Sequence, residues 1–305
     1  MSARTAAGTA AATDLPGIER PVVVGVDDSA GAELALRWAQ EDAAARGVPL
    51  RVVHAYRWRF AYDRIGTPGG SLGGDLQRAG HDGEQFVAQL LDRARAAAPR
   101  LPIGGEAIAG RPAAVLLDEA AGAGVLVLGS RRLTAISSEV FGSVGAAVAA
   151  RASCPAVVVR GVAGPPEEGA AVVVGVDATP ASERVLHYAF EHASRHRAAL
   201  RAVLCWHPDL LATMRWRPEP PPPERAEAWL SECLAGWRER FPDVPVHPEV
   251  LREHPTDGLI SASLSQHLLV VGRHGRSAAA GTLLGSVSQG VLHHADCPVA
   301  LVPTG

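Results

Sequence analysis

Short apolar runs alternate with longer segments of helical periodicity along the whole chain. Runs at 21–26, 50–55, 125–129 and 156–160 carry valine and leucine at successive positions. Strands buried on both faces read this way, because neither side meets water. A weaker run at 103–109 completes a set of five. Helices are predicted between them, over 30–46, 76–98, 112–121 and 143–151. Ser29 is placed to cap the first, with Leu34 and Trp38 one turn apart on one face. Pro112 suits a first helical turn, where no N–H partner is lost. The stretch 57–74, rich in glycine and aromatic residues, reads as a loop.

The same order then repeats. Strands are predicted at 172–176, 200–205, 246–251, 268–272 and 299–302, and helices at 181–197, 224–241, 256–266 and 286–294. Val22-Val-Val-Gly-Val-Asp27 recurs as Val172-Val-Val-Gly-Val-Asp177, 150 positions on. Gly129, Gly142-Ser143 and Cys154-Pro155 recur as Gly272, Gly285-Ser286 and Cys297-Pro298, each 143 positions on. Two homologous halves therefore stand in tandem, each near the usual size of one domain. The boundaries read as a tail at 1–20, a first domain at 21–161, a linker at 162–170 and a second domain at 171–305. The loop at 206–223 ends in four prolines and reads either as a cover for a pocket or as a surface connection.

Strands alternating with helices imply an α/β fold, a doubly wound parallel sheet with helices on both faces. Ligands of such sheets bind beyond the carboxyl ends of the strands, where strand order reverses. Asp27 and Asp177, the ends of the second strands and the glycine loops after the fourth strands all fall on that edge. The most informative of these is Gly272, two residues, Gly275, nine residues, then Gly285-Ser286-Val287-Ser288. Glycines at both ends of a strand-to-helix loop let backbone N–H groups come close to an anion. Hydroxyls at the mouth of the helix add donors, and the positive end of its dipole favours negative charge. The pattern reads as a phosphate cradle. In the first half Arg132 replaces the second glycine and Gly145 replaces Ser288. Arg132 either crowds the approach or binds phosphate through its guanidinium. The first half is read as weakened and the second as competent, with a ligand-free strand–helix turn as the competing reading.

Composition removes several classes. The 305 residues are 47% hydrophobic and 20% charged, with a net charge of −3; that suffices for two ordinary cores. Without a basic block, nucleic acid is not an expected partner. All 29 basic residues are arginine, so a lysine-bearing P-loop and lysine Schiff-base chemistry are excluded. No apolar run approaches the ~20 residues of a membrane span. The first residues lack the apolar centre of a signal peptide. No membrane association and a cytoplasmic location are expected. Cys154, Cys205, Cys233 and Cys297 are scattered and read as small buried apolar side chains. His192 and His196 are one turn apart and could share a metal, with His187 a turn earlier. No H-E-x-x-H or cysteine accompanies them, so a surface helix is expected and no metal site is predicted. Asp27 and Asp28 point apart at a strand end, which argues against an acid–base dyad.

With these motifs the chain resembles the tandem form of the universal stress protein family, over roughly 20–160 and 170–305. The most specific part is Gly272-x2-Gly275-x9-Gly285-Ser286, which matches the family's ATP-binding pattern. Val-Gly-Val-Asp177 and Cys297-Pro-Val-Ala-Leu-Val302 match its first and last strands. The resemblance implies five-stranded parallel sheets of order 3-2-1-4-5 that pair through their fifth strands. Here the two halves would form an intramolecular pseudo-dimer, with a homodimer of chains left open. It implies ATP as the ligand, with Mg2+ as an open companion. Asp177 with Ala178 would face the ribose, and Val203 would meet adenine through its backbone. Gly272, His274, Gly275, Gly285, Ser286 and Ser288 would hold the phosphates, flanked by Val271 and Val287. Arg273 and Arg276 would be available to neutralise charge. The weaker first-half set is Asp27, Val53, Gly129, Arg132, Gly142, Ser143 and Val144.

A nucleotide-binding regulatory module with little or no turnover fits these residues best, since no general base or Walker lysine is evident. The alternatives are a slow ATPase, for which Asp177 is the one carboxylate with a motif behind it, and an interaction scaffold that binds no nucleotide.

Overall fold

The computed structural model describes residues 20–56, 72–130, 142–160, 169–177, 182–206, 223–273 and 284–304. In the first half, strands β1 (Val22–Gly25), β2 (Leu50–Tyr56), β3 (Ile103–Ala109), β4 (Val125–Gly129) and β5 (Ala156–Val159) alternate with helices α1 (Ala30–Arg46), α2 (Leu72–Ala97), α3 (Pro112–Ala120) and α4 (Ser143–Arg151). The second half repeats this as β6 (Val172–Gly175), α5 (Ser182–His196), β7 (Leu200–Cys205), α6 (Pro223–Arg240), β8 (Val246–Leu251), α7 (Pro255–Ala262), β9 (Leu268–Gly272), α8 (Ser286–His294) and β10 (Val299–Val302).

Local chemistry sets the helix ends. Ser29 Oγ accepts from the Ala32 N–H at 3.3 Å, and α1 stops where Gly47 turns left-handed at φ 71°. Helix α7 ends at Ala262, short of the predicted 266. The Ser263 hydroxyl donates to the Ile260 carbonyl at 2.8 Å, and Ser265 is left-handed at φ 56°. A serine that bonds back to its own turn competes with helix propagation.

Each half has the expected 3-2-1-4-5 order. The two five-stranded sheets are, however, one continuous sheet of ten strands, β3-β2-β1-β4-β5-β10-β9-β6-β7-β8. Every neighbouring pair is parallel except β5 and β10, which run antiparallel with Ala300 opposite Val157. Ala156–Val159 and Val299–Val302 are buried throughout. Left unpaired, each would be an apolar sheet edge, and pairing them removes that edge.

Strand residues alternate between the two faces. Val22 and Val24 pack under α1 and α2, while Val23 packs under α3 and α4. The second half does the same, with Val172 and Val174 against α5 and α6 and Val173 against α7 and α8. The core is continuous across the seam. Two arginines tie the far face of that seam. Arg160, after β5, donates to the Leu292 and His293 carbonyls at the end of α8. Arg273, after β9, donates to the Ala152 carbonyl at the end of α4. Cations at these positions satisfy orphan carbonyls and suit the negative end of the helix dipole.

Cys154 and Cys297 are buried, as expected, whereas Cys205 and Cys233 are only half-buried. Burial pushes both thiols up to about 11, and pushes Cys205 up to about 12. At about pH 8 a thiol reagent should therefore label half-buried Cys233 first, and Cys154 and Cys297 only on unfolding. Mass spectrometry of the labelled peptides checks this; equal native rates would contradict the burial. No described helix is long and apolar enough to cross a membrane.

Candidate functional site

Strand order reverses between β6 and β9, which pair in parallel with Val174 opposite Val270. From this point α5 leaves to one face of the sheet and α8 to the other. The crevice between their starts is where a ligand of a doubly wound sheet lies. Asp177 follows β6 on one side of it, and Gly272 ends β9 on the other.

The second half closes its loop with its own backbone. Arg273 N–H donates to the Val302 carbonyl at 2.8 Å, and Gly285 N–H donates to the Arg273 carbonyl at 3.2 Å. These bonds bring the start of α8 beside the end of β9. Gly285 is the N-cap of α8 and supplies no side-chain acceptor to the first turn. Its φ of −66° and ψ of 153° aim the chain into the helix. Ser286 and Val287 follow as the first helical residues, so among the described residues the helix opens on an uncapped turn of N–H groups. Gly142, ahead of Ser143 and Val144, caps α4 in the same bare way. Valines 144 and 287 are half-buried against the cores below them.

Several expected ligands are used otherwise. Ser288 is 3% exposed, and its hydroxyl donates to the Gly272 carbonyl at 2.7 Å. It closes the loop instead of pointing a donor into the crevice. Arg273 is turned across the seam to Ala152 and does not neutralise an anion at the loop. Val203 lies inside β7, two residues before its end, and its carbonyl accepts from the Val176 N–H at 2.9 Å. Val53 does the same for Val26 at 2.9 Å in the first half. Sheet pairing thus already uses one acceptor position of each carbonyl that was expected to meet adenine. Val271 is buried in the core, one residue before the end of β9.

Both strand-end carboxylates brace the following helix. Asp177 Oδ1 accepts from the Ser182 hydroxyl at 2.7 Å, and Asp27 Oδ1 accepts from the Ser29 N–H at 3.1 Å. Gly129 is a packing glycine: a Cβ there would stand 2.2 Å from the Gly31 carbonyl oxygen. The start of α1 therefore lies directly on the end of β4. Ala178, His274, Gly275, Arg276 and Arg132 lie outside the described residues.

Sequence reasoning missed one side chain at this edge. Trp206 directly follows β7, with its N–H bonded to the Leu251 carbonyl at 2.7 Å. The Arg252 guanidinium stands 5.7 Å from its ring centroid. Its indole N–H is buried with no acceptor among the described residues. The available signal was an aromatic residue immediately after a strand on the ligand edge.

The universal stress protein family model matches residues 19–160 and 170–303, and the chain belongs to this family. It is similar to "Universal stress protein Rv2005c" of Mycobacterium tuberculosis, 36% identical over 290 residues, covering 93% of this chain and 97% of that protein. It is also similar to "Universal stress protein Rv2623" of the same organism, 32% identical over 281 residues, covering 91% and 94%. Among solved structures, a universal stress protein from Archaeoglobus fulgidus DSM 4304 superposes with a TM-score of 0.69. That likeness, at 17% identity over 93% of this chain and 98% of that one, concerns the fold.

Proposed function

We propose that the second half binds an adenine nucleotide, ATP foremost, and that the protein is a cytoplasmic regulatory binder with little or no turnover. The observation that carries this is the uncapped first turn of α8, held beside the end of β9 at the point of strand reversal. An anion there meets N–H groups and the positive end of a helix dipole. Gly272, Gly275, Gly285 and Ser286 would hold the phosphates, with Mg2+ bound through the nucleotide. The base would lie against Trp206 in place of the backbone of Val203, and the ribose near Asp177. The first half is the weaker site, since Arg132 stands where the second glycine belongs.

Calorimetry with ATP tests this on the wild type, Gly275→Arg and Arg132→Gly. The expected result is one site per chain, weakened at least about tenfold by Gly275→Arg. Phosphate release should stay at background. No binding to the wild-type chain would sink the reading and leave a scaffold.

A further inference from the structure

At the opposite edge of the sheet, three histidines and an aspartate meet at the seam between the halves. His192 and His196 lie one turn apart on α5, His267 immediately precedes β9, and Asp42 reaches in from α1. One ring nitrogen of each histidine lies within 4.8 Å of those of the other two. We propose that His192, His196 and His267 form a binding site for a divalent transition-metal ion of the zinc type, with Asp42 orienting His192.

The spacing fits the chemistry. His192 Nε2 and His267 Nε2 face each other at 3.1 Å. Two nitrogens on one tetrahedral zinc, at bonds of about 2.0–2.1 Å, stand ~3.3 Å apart. Asp42 Oδ1 lies 3.3 Å from His192 Nδ1 and 3.4 Å from His196 Nε2. A carboxylate on the far nitrogen holds the proton at Nδ1 and leaves the Nε2 lone pair for the metal. His192 Nδ1 is buried and has no aligned hydrogen-bond partner among the described residues. The His192 ring plane is fixed by packing, stacked on Trp38 at 5.7 Å and on Tyr188 at 6.1 Å. A ring that cannot turn is a pre-oriented ligand.

His196 and His267 are only half-buried, which leaves an entry from solvent. Nor can the site occur twice. Under the 143-residue offset, His267 corresponds to Gly124, which has no side chain.

The test uses the full chain, with any affinity tag removed and metal stripped by a chelator. Zn2+ is titrated by calorimetry, and Co2+ by visible absorption. One ion per chain is expected, with intense tetrahedral Co2+ bands. His267→Gln should weaken zinc roughly 100-fold or more, and Asp42→Asn by about 10–100-fold. His293→Gln with His294→Gln should change nothing. Zinc should raise the Tm of the wild type but not of His267→Gln. Circular dichroism confirms that each variant is folded, and half-buried His196→Gln gives an independent arm. Absence of zinc binding in the wild type overturns the site in favour of a purely hydrogen-bonded seam. So does binding that survives both His267→Gln and His196→Gln.

Discussion

Replacing Phe190 by alanine is expected to lower the unfolding free energy by about 3–5 kcal/mol. Phe190 is fully buried on α5 and packs against α6. Its ring stacks on Trp237 at 5.7 Å and on Phe241 at 5.5 Å. Trp237 and Phe241 are in turn 6.3 Å apart, and the Arg240 guanidinium covers both from outside. These partners are held by α6 and its cation, so they cannot collapse into the space that a lost ring leaves. The cost is then the lost burial plus an unfilled cavity. Phe190→Leu keeps most of the volume and should cost under about 1.5 kcal/mol. Chemical denaturation followed by tryptophan fluorescence checks both. A loss below about 1 kcal/mol for the alanine variant would mean that α6 repacks and is not anchored here. In the first half the equivalent position is Gln40, which donates to the Ala94 carbonyl of α2 at 2.9 Å. The two halves thus secure the same helix pair by different chemistry.

That contrast bears on what was legible in the sequence. The strands and helices were, because valine-rich runs admit few readings and the chain states its pattern twice, except that α2 begins at Leu72, inside the stretch expected as a loop. Helix α1 could be bounded from Ser29 and Gly47 alone, since caps are local. The end of α7 could not, because Ser263 and Ser265 act through backbone geometry that no periodicity reports. The joining of β5 to β10 came from family resemblance and not from residue pattern. Apolar strands are equally content with any apolar neighbour.

Of the candidate site, the described backbone was the legible part: Gly272 ends β9 and Gly285 caps α8 on either side of the crevice. Arg273 and Ser288 were assigned to the ligand by family resemblance, but what each one touches was decided by groups 121 and 16 residues away. His192 shows the same limit. A surface helix was expected, yet its side chain is fully buried against the first half. Periodicity says which residues share a helix face. It does not say which helix covers that face.

One clue to the seam was present and needed the symmetry to be read. The 150-residue offset equates Asp42 with His192, Trp38 with Tyr188 and Arg46 with His196. Asp42 meets His192 across the pseudo-twofold axis, with Trp38 stacked on His192 and Arg46 over Tyr188. Identical halves would set aspartate against aspartate there, and two buried like charges repel strongly. The tandem chain escapes this by placing an acid in one copy and an imidazole in the other. Such complementarity is open only to halves that evolve separately within one polypeptide.

Asp42→Ala is accordingly expected to cost about 3–5 kcal/mol, because it leaves a buried cation without its counter-ion. Asp42 is fully buried, and Arg46 Nε donates to its Oδ2 at 2.6 Å with the arginine only 11% exposed. Burial alone would push the Asp42 carboxyl up. The close polar contacts of His192 and His196 and the Arg46 charge outweigh it and hold the group well below the ordinary carboxylate range. Arg46 has few alternatives: one guanidinium nitrogen is already buried without an acceptor among the described residues, and its plane sits 5.6 Å from the Tyr188 ring. Removing the carboxylate strands that charge. Removing both partners does not, so Asp42→Ala with Arg46→Met should regain most of the loss. Denaturation of the single and double variants, with chelator present so that no bound metal contributes, completes the cycle. If the double variant is instead as unstable as the sum of the singles, the pair is uncoupled. Asp42 would then matter for the histidines of the second half and not for the arginine of its own helix.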